Sequence, residues 1–106
     1  MRRSSKRRVV WSPEAEQDLF AIWEYVAETI GRATADRLLC EIHATSEALG
    51  AWPELGTARD DVREGLRARR TGHHVAFYRV GREGAEIVRV LHERRDIENL
   101  FADDAA

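Results

Sequence analysis

The first half of the chain places its hydrophobic residues at the spacing of two amphipathic helices. The first is predicted to begin at Ser12-Pro13, because serine can accept a hydrogen bond from a free backbone N–H and proline loses no needed donor. Its apolar stripe consists of Leu19, Ile22, Trp23, Val26 and Ile30. Gly31 is a suitable left-handed stop for this helix.

A second helix is predicted to begin at about residue 33 and to be closed by Gly50. Its apolar stripe consists of Ala35, Leu38, Leu39, Ile42 and Leu49. Because the turn between the two helices is so short, we expect them to pack antiparallel as a helical hairpin.

Strands are predicted on both sides of the hairpin. Residues 7–11 are β-branched and aromatic without helical spacing, which indicates a short first strand. Residues 50–65 have no sustained period and contain proline and glycine, so they are expected to form a loop. Three further strands are predicted at residues 66–71, 74–80 and 85–91.

The element order predicts an α+β fold, with the helical hairpin packed on one face of a small, mostly antiparallel sheet. Asp96 is expected to cap a short C-terminal helix that turns Ile97, Leu100 and Phe101 inward. The length of 106 residues fits one domain, predicted at residues 9–101. Residues 1–8 are then a basic segment that need not be ordered, and residues 102–106 are a tail.

Charge is segregated along the chain, although the net charge is only -2. Residues 1–8 carry five basic side chains and no acidic one, whereas residues 9–58 carry nine acidic side chains against two arginines. Residues 59–96 carry ten arginines against seven acidic side chains. This asymmetry favours a surface for an anionic or acidic partner, with well-solvated strand ends as the alternative explanation.

No metal-binding or cofactor motif is present in the sequence. The four histidines, His43, His73, His74 and His92, do not fall at ligand spacing with the single Cys40. We therefore expect no metal and no cofactor. A lone cysteine fits a reducing cytoplasm, and no apolar run approaches the ~20 residues of a membrane span.

Arginine and histidine on or near the predicted sheet are the residues left for chemistry. Arg67, Arg89 and His92 could cleave a phosphodiester without a metal, with a base taking the 2′-hydroxyl proton and arginines stabilising the charged phosphate. The alternative is structural, because a strand-end histidine is often hydrogen-bonded within the fold and Tyr78 fits a half-buried sheet position.

Three stretches, WSPEAEQDLFAIWEYVAE, WPELGTARDDVREGLRARR and RVLHERRDIENLF, together resemble the ParE branch of the RelE/ParE toxin superfamily over roughly residues 9–101. The resemblance implies a cytoplasmic type II toxin held inactive by a ParD-like antitoxin, a ribbon-helix-helix protein with a flexible C-terminal tail. DNA would be contacted only through the antitoxin. ParE-like toxins poison DNA gyrase, whereas the RelE branch cuts mRNA in the ribosome.

The residues favour the gyrase branch. RelE-type cleavage often uses a tyrosine near the C-terminus, but no tyrosine follows Tyr78 and no lysine follows Lys6. The negative net charge also argues against strong RNA binding. We therefore predict a gyrase inhibitor without catalysis. A ribosome-dependent endoribonuclease using Arg67, Arg89 and His92 is the alternative, and an attenuated antitoxin-binding module is a third.

Two binding surfaces are predicted on this basis. The residues assigned to the target are Arg59, Arg67, Arg69, Arg94 and Arg95. Those assigned to the antitoxin are Phe20, Trp23 and Tyr25 on the first helix. Phe20 and Tyr25 lie off the apolar stripe, so they could line a groove for an amphipathic tail that folds on binding. Partial burial at the helix edge is the alternative.

Overall fold

The computed structural model describes residues 8–95 together with Ile97, Leu100 and Phe101. The elements are β1 (Arg8–Trp11), α1 (Pro13–Thr29), α2 (Arg32–Ala51), a 3₁₀ turn (Pro53–Leu55), β2 (Thr57–Ala58), β3 (Leu66–Thr71), β4 (His74–Gly81) and β5 (Gly84–His92). The described terminal residues Ile97, Leu100 and Phe101 are helical. The predicted cap Asp96, the tail and the basic segment apart from Arg8 lie outside the described residues.

The five strands form one sheet in the order β1-β5-β4-β3-β2. β1 pairs with β5 in parallel, and the other three pairs are antiparallel. The predicted hairpin on a mostly antiparallel sheet is thereby confirmed, whereas the segment 50–65, predicted as a loop, also contains a 3₁₀ turn and a short strand. β2 lies inside that segment and pairs Thr57 with Ala68 and Ala58 with Arg67. Two residues are too few to show an alternating pattern.

The helix ends follow the sequence at Ser12 and Gly31 and depart from it at Gly50. Ser12 Oγ accepts a hydrogen bond from the Ala15 N–H at 3.0 Å, as a capping serine should. Gly31 has a φ of +151° where α1 ends and α2 begins. Gly50, however, does not end α2, which continues to Ala51. A Cβ on Gly50 would lie 3.1 Å from Val9 Cγ2, so glycine lets β1 pass close to the helix.

The two faces of the sheet have separate hydrophobic clusters. On the helix side the buried cluster includes Ile42, Leu49, Tyr78, Ile87 and Val90. On the other face it consists of Leu66, Phe77, Leu91 and Phe101, with Ile97 and Leu100 packed against it. The predicted inward packing of the terminal turn is thus confirmed. Each buried side chain of this size contributes about 1.5–3 kcal/mol to folding.

Beyond the end of β1, the edge of β5 is covered by the start of α1. The Ser12 N–H donates to Ile87 O at 3.0 Å, and Ser12 Oγ donates to Val88 O at 2.9 Å. Asp18 Oδ2 accepts from the Val90 N–H at 2.9 Å. These bonds satisfy backbone groups that an open strand edge would leave exposed. They also fix α1 against the last residues of β5.

Candidate functional site: an apolar groove at the histidine end of the sheet

An apolar groove of about 690 Å³ lies between the helical hairpin and the end of the sheet where β4 begins and β5 ends. The helices line it with Ala21, Ile22, Tyr25, Val26, Ile30 and Leu38. The sheet and its exit line it with His73, His74, His92, Arg94 and Arg95. The helix side of the groove is mostly apolar, whereas the sheet side combines Val90 and Leu91 with the three histidines and two arginines.

Three histidines cluster in this groove. His74 and His92 are direct cross-strand partners, and their rings meet edge to face at a centroid distance of 5.3 Å. The ring of His73 stacks on that of His92 at 6.1 Å. Sequence reasoning gave His73 and His74 no role, because neighbouring strands bring these residues together and linear spacing does not show it.

Burial and like charge both act on the cluster. Burial lowers the pKa of His74 from its ordinary value of 6.5, and His92 and His73 lower this pKa further, while Glu93 opposes them. Nδ1 of His74 is buried and has no hydrogen-bond partner among the residues that the structure describes. The hydrogen bond from His73, followed by the influence of Arg70, lowers the pKa of Glu93.

Arg89, assigned to catalysis in the ribonuclease alternative, is held by a carboxylate beside the groove. Its Nε and Nη2 donate to Asp18 at 2.8 and 3.0 Å. The side chains of Arg89 and Asp18 are only 18% and 14% exposed, so little water screens the pair. The guanidinium is therefore an internal link between β5 and α1.

Arg67 and Arg69 hold the segment 53–56 against the sheet by donating hydrogen bonds to its backbone carbonyls. Nη2 of Arg67 donates to Gly56 O at 2.6 Å, and Nη1 of Arg69 donates to Leu55 O at 3.1 Å. Tyr78, which is fully buried, holds the same segment. Its hydroxyl donates to Pro53 O at 2.5 Å and accepts from the Gly56 N–H at 3.0 Å.

The five arginines predicted to bind the target thus fall into two places. Arg67, Arg69 and Arg59 lie along the β2–β3 side of the sheet, where Arg59 forms an ion pair with Asp61 at 2.9 Å. This contact lowers the pKa of the Asp61 carboxyl. Arg94 and Arg95 are exposed and line the groove at the other end.

The structure does not bring together Arg67, Arg89 and His92, the catalytic residues of the ribonuclease alternative. Arg67 contacts the 53–56 segment and Arg89 contacts α1. His92 Nδ1 accepts a hydrogen bond from the Arg94 N–H at 3.1 Å. β4 separates β3, which carries Arg67, from β5, which carries the other two residues.

The three aromatic residues assigned to the antitoxin are also separated. Tyr25 is 68% exposed and lines the groove. Phe20 is 63% exposed but is not among the described lining residues. Trp23 Nε1 donates to Asp36 Oδ1 at 2.7 Å and so links the two helices. Of the three, Tyr25 has the position that a groove-binding role requires.

Neither a metal centre nor a membrane segment is found in the described part of the chain. Across residues 8–95, 97, 100 and 101, no group of three His, Cys, Asp or Glu side chains is arranged to hold a metal ion. No described helix is long and apolar enough to cross a membrane.

The fold matches solved structures of toxin-antitoxin systems. The chromosomal ParDE system from P. aeruginosa gives a TM-score of 0.74 at 23% identity, covering 84% of this chain and 98% of that one. The toxin-antitoxin complex RelBE2 from Mycobacterium tuberculosis gives 0.59 at 21% identity, covering 86% and 97%. The hairpin on a five-stranded mixed sheet is therefore a fold that this chain shares with both structures.

The sequence assigns the chain to a toxin family. Residues 9–97 match the family described as the ParE toxin of type II toxin-antitoxin system, parDE. The chain belongs to this family, which confirms both the resemblance and the prediction of a type II toxin component. Toxin ParE1 of Mycobacterium tuberculosis is 37% identical over 92 residues, covering 86% of this chain and 94% of the relative. Toxin ParE1 of Caulobacter vibrioides is 39% identical over 82 residues, covering 77% and 84%.

Proposed function

We propose that this toxin acts by binding DNA gyrase in the cytoplasm, without chemistry of its own, and that a ParD-like antitoxin neutralises it by occupying the apolar groove. Contact with DNA would be made by the ribbon-helix-helix part of the antitoxin. The relatives named ParE and the toxin-antitoxin titles of the structural neighbours support an antitoxin partner.

The observation that carries the choice of binding over RNA cleavage is the internal bonding of Arg67, Arg89 and His92. A phosphodiesterase needs its arginines and its base directed at one phosphate. Here Arg67 donates to a backbone carbonyl and Arg89 to a carboxylate, and His92 accepts from a backbone N–H. Cleavage would require both arginines to leave these contacts and turn to the phosphate, which favours a binding role.

Arg94 and Arg95 are the residues best placed to contact a target. Both are exposed, whereas Arg67 and Arg69 are partly buried beneath the segment they clamp. Arginine is enriched among residues that dominate protein interfaces, because its planar guanidinium offers several directed donors. We therefore centre the gyrase-binding surface on Arg94 and Arg95.

The groove suits the antitoxin tail for a chemical reason. A helix or extended segment with an apolar face would cover Ile22, Tyr25 and Ile30, and its acidic side chains would meet the arginines on the rim. Since Arg94 and Arg95 line the groove, the same segment would cover them. Neutralisation would then follow from competition with the target for one surface.

Purified gyrase tests the target. Supercoiling and DNA cleavage should be perturbed by the wild-type chain and by Arg82→Ala, a matched change at an exposed arginine in the β4–β5 turn. The double variant Arg94→Ala/Arg95→Ala should lose the effect while remaining folded. Cleavage of mRNA on translating ribosomes, with gyrase unaffected, would instead establish the ribonuclease alternative.

Antitoxin binding is tested by a second pair of variants on α1. Tyr25→Ala should weaken the complex about tenfold or more, because it removes an aromatic contact from the groove. Phe20→Ala removes an equally exposed ring outside the groove and should leave affinity within about twofold. Neutralisation by an antitoxin that lacks its C-terminal tail would contradict the groove assignment.

A further inference from the structure

The histidine cluster is the part of the groove that gyrase binding does not use. His73, His74 and His92 bring three imidazoles together at one end of a mostly apolar groove. Histidine is the side chain whose charge changes near neutral pH. A partner segment that docks here is therefore placed directly against groups that can gain a proton.

The charged groups around the cluster come from every element that packs against it. They are Asp18 on α1, Arg70 on β3, Arg89 on β5, and Glu93, Arg94 and Arg95 at the exit of β5, while α2 contributes the uncharged Thr34 and Leu38. Tyr25 of α1 also lines the groove and is titratable.

The two carboxylates in this set are already matched. Asp18 accepts from Arg89 and from the Val90 N–H. Glu93 forms an ion pair with Arg70 at 2.7 Å and contacts His73. In the described part of the chain, Arg94 and Arg95 form no ion pair, so the charge left over at this end of the groove is cationic.

His74 also leaves an atom to be satisfied. Its ring is half-buried and its Nδ1 has no hydrogen-bond partner among the described residues. A buried polar atom without a partner is unfavourable, so the surroundings of His74 do not satisfy its ring fully. If the imidazole takes a proton from solvent, Nδ1–H and Nε2–H are both donors, and a carboxylate is the acceptor that binds them most strongly.

We propose that the histidine end of the groove is a subsite for a carboxylate of the antitoxin tail, and that docking takes up about one proton from solvent onto the cluster, centred on His74. This inference rests on the proposed antitoxin groove and specifies one chemical group of the antitoxin, a carboxylate, that binds within it. The carboxylate stays ionised, and the imidazole becomes an imidazolium with the added proton.

The sign of the pH dependence follows from the free protein. Burial and the neighbouring histidines lower the pKa of His74 below 6.5, so the His74 imidazole of the free protein is mostly neutral at pH 7. A carboxylate raises the pKa of the imidazole it contacts. Affinity is therefore greatest below the free pKa and is lost as pH rises through the bound pKa. One unit of difference between the two corresponds to a tenfold change in affinity.

Calorimetric titration tests this with the full-length toxin and the purified antitoxin encoded beside it as the probe. The dissociation constant should fall about tenfold between about pH 8 and about pH 6. Repeating the titration in buffers of different ionisation enthalpy counts the protons, and uptake of about one is expected near the middle of this range. A constant affinity, or tighter binding at high pH, would overturn the carboxylate subsite.

Two histidine variants assign the effect. His74→Gln should remove most of the pH dependence, and His92→Gln should reduce it by the same route if the first variant does not fold. His43→Gln is the matched control, because His43 lies on α2, stacks on Trp11 and is outside the groove. Full pH dependence in His74→Gln and His92→Gln would refute the assignment. Absence of binding at every pH would reject the groove itself and with it this subsite.

Discussion

Arginine side chains on the two sides of the sheet have opposite fates. On the β3 side, Arg67 and Arg69 donate to carbonyls of the segment 53–56 that folds over them. At the exit of β5, Arg94 and Arg95 stay exposed on the rim of the groove. The residue type is the same, and the difference is whether backbone covers it. Counting arginines on a strand therefore does not identify a binding surface.

One buried polar group on each side shows a further difference, although Nε of Arg67 and of Arg69 on the β3 side are also buried without a hydrogen-bond partner among the described residues. The hydroxyl of Tyr78 both donates and accepts, so its hydrogen-bonding capacity is used within the fold. Nδ1 of His74 is buried with no partner in the described part of the chain. A satisfied group stabilises the protein by itself, whereas an unsatisfied one gains most when something else binds.

Removing the Asp18 carboxylate, which links α1 to β5, should give the largest loss of stability. Asp18→Ala removes the carboxylate that pairs with the poorly exposed Arg89 guanidinium and the acceptor for the Val90 N–H. We expect the free energy of unfolding to fall by about 3 kcal/mol, measured by urea denaturation. Glu86→Ala breaks the exposed pair with Arg79 and should change it by less than about 1 kcal/mol. Equal losses in the two variants would contradict the difference in burial.

The satisfied side of the comparison is tested at Tyr78. Tyr78→Phe removes both hydrogen bonds to the segment 53–56 and leaves the buried Gly56 N–H without its acceptor. The free energy of unfolding should fall by about 1–3 kcal/mol. Tyr25→Phe removes an exposed hydroxyl and should change it by less than about 0.5 kcal/mol. A neutral Tyr78→Phe would show that the segment 53–56 is held by the arginines alone.

The helices and the sheet could be predicted because their signals are local. Ser12 caps α1 as its side-chain chemistry indicates, and the apolar period of each helix reports its buried face. The prediction that Gly50 ends α2 is wrong, because the glycine is needed for the close approach of Val9, which is distant in sequence. Local sequence patterns identify a helix or strand, but they do not show which other element packs against it.

The histidine end of the groove could not be predicted because it depends on strand register. Counting back from the pair Gly81–Gly84 would place His74 opposite Leu91. A shift between Phe77 and Tyr78 places it opposite His92 instead and so forms the cluster. Nothing in the sequence indicates this shift directly. The glycine turn at residues 81–84 indicates that the two histidine-bearing strands pair, but it does not indicate their register beyond the shift.

The free energy of unfolding should depend more on Arg67, which bonds to the segment 53–56, than on the exposed Arg94 and Arg95. Arg67→Ala removes the donor to Gly56 O and should lower the free energy of unfolding by about 1.5 kcal/mol, as for a hydrogen bond from a charged group. Arg94→Ala/Arg95→Ala should lower it by less than about 0.5 kcal/mol, because both side chains are exposed. Thermal or urea unfolding of the free toxin measures both. The reverse order would mean that the rim arginines support the fold and are not free to bind a target.

The smallest effect concerns the response of the free toxin to acid. Burial lowers the pKa of His74, so the unfolded chain binds more protons between that lowered pKa and 6.5. Stability should therefore fall as pH decreases through this window, seen as a lower melting temperature. Glu93, whose pKa is lowered by its contact with His73, contributes stability above 4.5 that is lost only at more acidic pH. The two contributions are thus separated in pH.

His74→Gln isolates the histidine contribution to that response. The variant cannot gain a proton, so its melting temperature should depend less on pH than the wild type between about pH 7.5 and about pH 5.5. His43→Gln should follow the wild-type curve, because the imidazole it removes is exposed and lies outside the groove. If His74→Gln and the wild type show the same slope, His74 is not held neutral by its surroundings.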